Sequence, residues 1–252
     1  MPAASLRALF ECGIPCCCLA FKRISHGPAN TIWASSNQGP IVRTTDGGAS
    51  WAVTVIAPVV TASTVGPNVL TAHPVDPATV YVGFGGFGSP LGGLYKTTDG
   101  GANWTELSTG VNNLPAGTTI VDVFVHPADP TKVIVLASGV SYRSLDSGAT
   151  WTQLTTAPIN PNAVAHQPGS GFPGTILMAS SLGISTSTDN GASWNVASVT
   201  SQIATTDNSG IRLGPVGPRL LAISGGTVIS SSGSESGGSA PGYAVNSNPT
   251  VS

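Results

Sequence analysis

An all-β chain assembled from repeated four-stranded units is what this sequence predicts, and three observations predict it. A nine-residue pattern at 96–104, Lys-Thr-Thr-Asp-Gly-Gly-Ala-Asn-Trp, recurs at 43–51, 143–151 and 186–194. The aspartates of the four copies stand 53, 47 and 43 residues apart, a period that fits a four-stranded β-propeller blade. Between the copies, runs of β-branched and aromatic residues alternate with polar ones and are broken by Gly, Pro and Asn, with no helical period.

Each copy carries the same box. A hydroxyl residue (Thr44, Thr97, Ser144, Ser187) precedes an aspartate (Asp46, Asp99, Asp146, Asp189) by two places. A glycine follows two places later (Gly48, Gly101, Gly148, Gly191), and a tryptophan closes the box (Trp51, Trp104, Trp151, Trp194). The pattern reads as a hairpin corner. The carboxylate accepts backbone N–H groups across the turn, the glycine supplies positive φ, and the hydroxyl bonds locally to the backbone. The tryptophan opens the next strand and buries its ring. The four aspartates are therefore read as structural.

The units follow in order. The first begins with a strand near 19–25 and continues through strands at 31–35, 40–45 and 51–56. The second has strands at 68–73, 79–84, 93–98 and 104–107, the third at 120–126, 132–138, 140–145 and 151–155, and the fourth at 162–166, 175–180, 183–188 and 194–199. A worn fifth unit has strands at 211–214, 219–224 and 227–231, and its box position near 233 has lost the aspartate. The array thus covers 19–236, between an atypical Cys-rich leader at 1–18 and a Ser/Gly-rich tail at 237–252. Five units are compatible with a closed five-bladed ring, a part of a larger ring, or a piece of an assembly, since an open blade face exposes apolar surface.

The box, Ser/Thr-x-Asp-x-Gly-x-x-Trp, resembles the Asp-box (bacterial neuraminidase) repeat, over about residues 24–236. Proteins with this repeat include sialidases, xyloglucan-cleaving propeller hydrolases, sortilin-type receptors and photosystem assembly propellers. The resemblance implies a β-propeller and an extracellular or cell-envelope location. It leaves activity open, because enzymes and non-enzymes share the box.

Composition narrows the partners. Only 8% of the residues are charged and the net charge is −2, so the clustered Lys and Arg that grip nucleic acid are missing. All four cysteines (Cys12, Cys16, Cys17, Cys18) lie in the leader, with neither zinc-site spacing nor a disulfide framework reaching the body. The apolar stretch 6–21 carries Arg7 and Glu11 and is too short and broken for a membrane span. No cofactor and no metal are expected. His26, His73, His126 and His166 recur at similar places in four units and read as turn residues copied with the repeat rather than as a metal ring.

Connectivity then sorts the residues by face. In a four-stranded blade the boxes and the corners between first and second strands share one face, and the loops 57–67, 85–92, 108–118, 156–161 and 200–210 share the other. Function is expected on the second face, in loops carried by a rigid scaffold. Phe84 and Phe87, in a Gly-rich loop that lacks the Lys-Ser/Thr of a phosphate loop, together with Asn112 and Asn113, could form a platform for a sugar or peptide; packing of a Phe between blades is the competing reading.

For catalysis, Asp122 and Asp207 are the candidate acid/base pair. A glycosidase needs two facing carboxylates, about 5–5.5 Å apart if retaining and roughly 6.5–9.5 Å if inverting. The sialidase pattern fits poorly. Phe21-Lys22-Arg23-Ile24-Ser25 inserts a Lys and lacks the Pro of the expected Phe-Arg-Ile-Pro, Arg43 and Arg143 enter boxes, Arg212 and Arg219 remain, and no Tyr/Glu couple is evident. The reading is a non-catalytic binding or scaffolding propeller for a glycan or protein ligand, oligomeric if the ring is incomplete, with a xyloglucanase-type glycoside hydrolase as the alternative.

Overall fold

The computed structural model describes residues 21–36, 41–54, 56, 66–85, 92–167, 174–180 and 183–196, with the strands at 219–224, 227–231 and 243–245. The described residues form antiparallel sheet and turns, without a helix. The first sheet orders β1 (Phe21–His26), β2 (Ile32–Ser36), β3 (Ile41–Thr44) and β4 (Ala52–Thr54). The second orders β5 (Val69–Ala72), β6 (Val80–Phe84), β7 (Gly93–Thr97) and β8 (Thr105–Glu106). The third orders β9 (Ile120–Val125), β10 (Val133–Ala137), β11 (Ser141–Ser144) and β12 (Thr152–Gln153), and the fourth β13 (Pro161–His166), β14 (Ile176–Ser180), β15 (Gly183–Ser187) and β16 (Asn195–Val196). A further sheet orders β17 (Arg219–Ser224), β18 (Thr227–Ser231) and β19 (Tyr243–Val245). The chain is an all-β propeller of four-stranded blades.

Two compact units divide it, Met1–Val133 with Ser144–Trp151 and Ile134–Arg143 with Thr152–Ser252. In the first unit the inner strands of successive sheets meet: β1 lies against β5, and β5 against β9. The Ala72 N–H donates to Ser25 Oγ at 2.9 Å, and Thr71 Oγ1 donates to the Val123 carbonyl at 3.0 Å. Gly83 permits the approach of β6 to β9, since a Cβ there would fall 2.5 Å from Ile120 Cγ2. Trp33, Ile41, Ile56, Leu70, Val82 and Phe84 lie in one buried cluster of this unit.

The strands differ from the expected ones in instructive ways. The second strands β6, β10 and β14 are buried at each of their residues and read VYVGF, VIVLA and ILMAS, so they run apolar instead of alternating, as strands covered on both faces do. The fourth strands shrink to two or three residues, short edges that offer little backbone to a stray partner. The strand at Arg219–Ser224, expected as the second of its unit, lies instead against β13, the place that β5 and β9 take against the preceding inner strands. Its third strand, β19, lies within the stretch that composition marks as a linker. The expected strand at 211–214 is outside the described residues.

Candidate functional site

The four boxes fold into one repeated hydrogen-bond network. In the first, Thr44 Oγ1 donates to Asp46 Oδ1 at 2.6 Å and accepts the Gly48 N–H at 2.9 Å, while the Ser50 N–H donates to Asp46 Oδ1 at 2.9 Å and Ser50 Oγ to Asp46 Oδ2 at 2.5 Å. The same bonds recur around Asp99 with Thr97 and Asn103, around Asp146 with Ser144 and Thr150, and around Asp189 with Ser187 and Ser193. Asn103, which opens an Asn-Trp-Thr sequence of the glycosylation type, thus donates its side-chain Nδ2 to Asp99 at 2.7 Å. The residue before each tryptophan is a side-chain donor to the aspartate. Its polar type at all four positions (Ser50, Asn103, Thr150, Ser193) is legible in the sequence beside the hydroxyl, aspartate, glycine and tryptophan.

Electrostatics agree with this geometry. Side-chain and backbone donation from Ser50 holds the Asp46 carboxyl well below the usual carboxylate range. The Asn103 backbone N–H, with its side chain, holds Asp99 down to about 2. Burial opposes ionisation of Asp146 and Asp189, yet donors from Thr150 and Ser193 outweigh it, and Asp189 falls to about 2.

The glycines that follow two places after the aspartates take φ between 78° and 103°, and the residues directly after the aspartates (Gly47, Gly100, Ser147, Asn190) are left-handed as well, at 72°, 76°, 60° and 57°. Their N–H groups tie three boxes to the corner between first and second strands of the same blade. Gly47 donates to the Asn30 carbonyl at 3.1 Å, Gly100 to Ala78 at 2.9 Å, and Ser147 to Thr131 at 2.9 Å. The indoles divide into two kinds. Trp151 and Trp194 are buried, whereas Trp51 and Trp104 are half-buried, a departure from the expectation that each ring is enclosed.

His73 and His126 fill the expected corner role. His73 Nδ1 accepts the Val75 and Asp76 N–H groups at 3.2 and 2.9 Å, and His126 Nδ1 accepts those of Ala128 and Asp129, both at 3.2 Å. Asp76 and Asp129 close the same corners through Ala78 with Thr79 and through Thr131, and both carboxyls are held below their ordinary value: burial opposes this most at Asp76, while the Thr131 hydroxyl drives it at Asp129.

The predicted ligand-face residues that the structure describes take different parts. Phe84 is 1% exposed and sits in the core edge-on to Tyr95, with ring centroids 5.7 Å apart, so the platform expected of it is corrected to a packing role. Asn112 turns inward: its Nδ2 donates to the Leu107 carbonyl at 2.5 Å and its Oδ1 accepts the Leu114 N–H at 3.3 Å. Asn113 is exposed, at φ 69°, on the same loop. Asp122 stands half-buried on the inner strand β9, its Oδ1 accepting the Val123 N–H at 2.9 Å. Phe87 and Asp207 lie outside the described residues. Of the arginines weighed against a sialidase cluster, Arg23 donates to the Asn68 carbonyl, Arg43 stacks over Trp33 at 5.1 Å, and Arg143 donates to the Asn190 carbonyl.

No family model and no curated protein matches this sequence. Solved structures do. An ancestral GH74 enzyme superposes with a TM-score of 0.59 at 17% identity, over 84% of this chain and 27% of that one. YCF48 bound to D1 peptide gives 0.53 at 19% identity, over 85% of this chain and 61% of that one. The extracellular domain of BT4673 from B. thetaiotaomicron gives 0.54 at 10% identity, over 82% and 25%. These likenesses are to β-propellers, and at such identities they speak to the fold. The chain spans about a quarter of the GH74 enzyme's length. No helix among the described residues is long and apolar enough to cross a membrane.

Proposed function

We propose that this chain is a non-catalytic binding or scaffolding propeller of the Asp-box repeat class, acting outside the cell or in its envelope on a glycan or protein ligand. The observation that carries the reading is where its acids are spent. Six aspartates (Asp46, Asp76, Asp99, Asp129, Asp146, Asp189) are bonded into turns with their carboxyls held below the ordinary range. A general acid at neutral pH needs the opposite shift. Recognition by surface loops asks for no such group. A propeller bound to a peptide stands among the structural neighbours and supports this reading, while the GH74 enzyme beside it keeps the hydrolase as the alternative.

A panel of xyloglucan oligosaccharides, bacterial glycans and synthetic peptides, assayed for binding by calorimetry and for reducing-end release, separates the two. Binding without release is the expected result. Release that vanishes in Asp122→Ala or Asp207→Ala, with the fold intact, would replace this reading with a glycoside hydrolase. For any ligand found, Phe87→Ala is expected to weaken binding roughly tenfold, the worth of one stacked ring, with little change in Tm. Unaltered affinity in Phe87→Ala removes Phe87 from the site.

A further inference from the structure

We infer that the second, third and fourth boxes are each a strap onto the blade before, held by the basic residue that enters the preceding box, so that loosening runs forward along the chain from one box to the next. Three successive pairs show the contact. Arg43 enters the first box and lies over Gly100 of the second, where an added Cβ would collide with its Nη1. Lys96 enters the second box, and its Nζ donates to the Ser147 carbonyl of the third at 3.1 Å. Arg143 enters the third, and its Nη1 donates to the Asn190 carbonyl of the fourth at 3.3 Å. In every case the receiving residue is the left-handed one directly after the boxed aspartate.

Other bonds run the same way. Thr54, at the end of β4, donates its hydroxyl to the Gly101 carbonyl of the second box and receives the Trp104 Nε1–H at 3.3 Å. Tyr81, in β6, donates to the Ser147 carbonyl at 3.2 Å, with Lys96 Nζ 5.1 Å over its ring. Thr156, just past β12, donates to the Ala192 carbonyl of the fourth box at 3.3 Å. Compaction follows these contacts: Ser144–Trp151, the third box, groups with Met1–Val133, and Ile134–Arg143, which includes most of its own strand β11, does not. Where the boxes end the bases end too. The fourth box is entered by Thr186 in place of Lys or Arg, and the next unit has no boxed aspartate.

Hydrogen–deuterium exchange on the full chain, read by peptide, tests the direction. Lys96→Met should speed exchange at 146–150 about tenfold, the loss of one charged hydrogen bond, and leave 99–103 unchanged. Arg143→Met should do the same at 189–193 and spare 146–150. Lys96→Arg should restore protection, and Thr186→Arg should alter nothing. If a variant's own box loosens instead, if both loosen equally, or if neither responds, the strap assignment is wrong. Should Lys96→Met give no folded protein, Arg143→Met decides by the same readout.

Discussion

Phe84→Ala is expected to cost roughly 3–5 kcal/mol of stability, enough to consume a large part of what an ordinary domain has. The ring is 1% exposed and belongs to a cluster with Trp33, Ile41, Ile56, Leu70, Val80 and Val82. Its edge-on contact with Tyr95 adds a term beyond area, and Tyr95 in turn is half-buried, its hydroxyl pushed up first by that burial. Truncation to Ala leaves a cavity between strands whose close approach, fixed at Gly83 and Ile120, gives little room to collapse. Equilibrium denaturation in urea measures the cost through the midpoint, with the slope held as a check on two-state behaviour. A midpoint unchanged by the substitution would return Phe84 to the ligand face and overturn its core assignment. Phe87→Ala, by contrast, is expected to move affinity and leave the midpoint in place.

Phe84 shows what the sequence could say. Phe84 shares strand parity with Val80 and Val82, which places it on their face, while the glycines that follow it are a loop signal. The hydroxyl, aspartate and glycine of the boxes were legible because each carries a local turn role that does not depend on distant partners, whereas the half-burial of Trp51 and Trp104 was not. The corner histidines were legible for the same reason, with Nδ1 bonded two and three residues ahead. What could not be read were the bonds that cross blades. Lys96 and Ser147 are 51 residues apart, and nothing in either local pattern names the other. The fifth unit shows a related limit. Arg219–Ser224 is followed after two residues by Thr227–Ser231, a tight hairpin that suits second and third strands, yet packing against β13 gives it the inner place. Inward-turned Asn112 illustrates the point at one side chain, since an asparagine in a loop serves its own turn as readily as a ligand.

Acid should lower the stability of the chain over two pH ranges, gently in the first and more sharply in the second, where several carboxyls titrate together. Asp99 and Asp189 are lowered from 3.8 to about 2, and Asp46 and Asp146 are lowered as well. A carboxyl whose folded value lies below its unfolded one binds fewer protons when folded. Its stabilisation is therefore complete above the unfolded value and is lost as pH falls through the folded one. For Asp99 and Asp189 that window runs from above 3.8 down to about 2. His73 adds an earlier, shallower stage: burial foremost, with Lys96 adding and Asp76 opposing, lowers it from 6.5, so the folded chain resists its protonation and stability begins to fall below that pH. The physical reason is visible at Nδ1, which accepts two backbone N–H groups and cannot also carry a proton. Urea midpoints taken from about pH 7 to about pH 2 should trace a gentle decline and then a sharp one. His73→Gln should flatten the first limb, and Asp99→Asn combined with Asp189→Asn should flatten the second while lowering the midpoint at neutral pH. A midpoint that holds constant down to about pH 2 would mean that ionisation of the boxed carboxyls contributes no net stability.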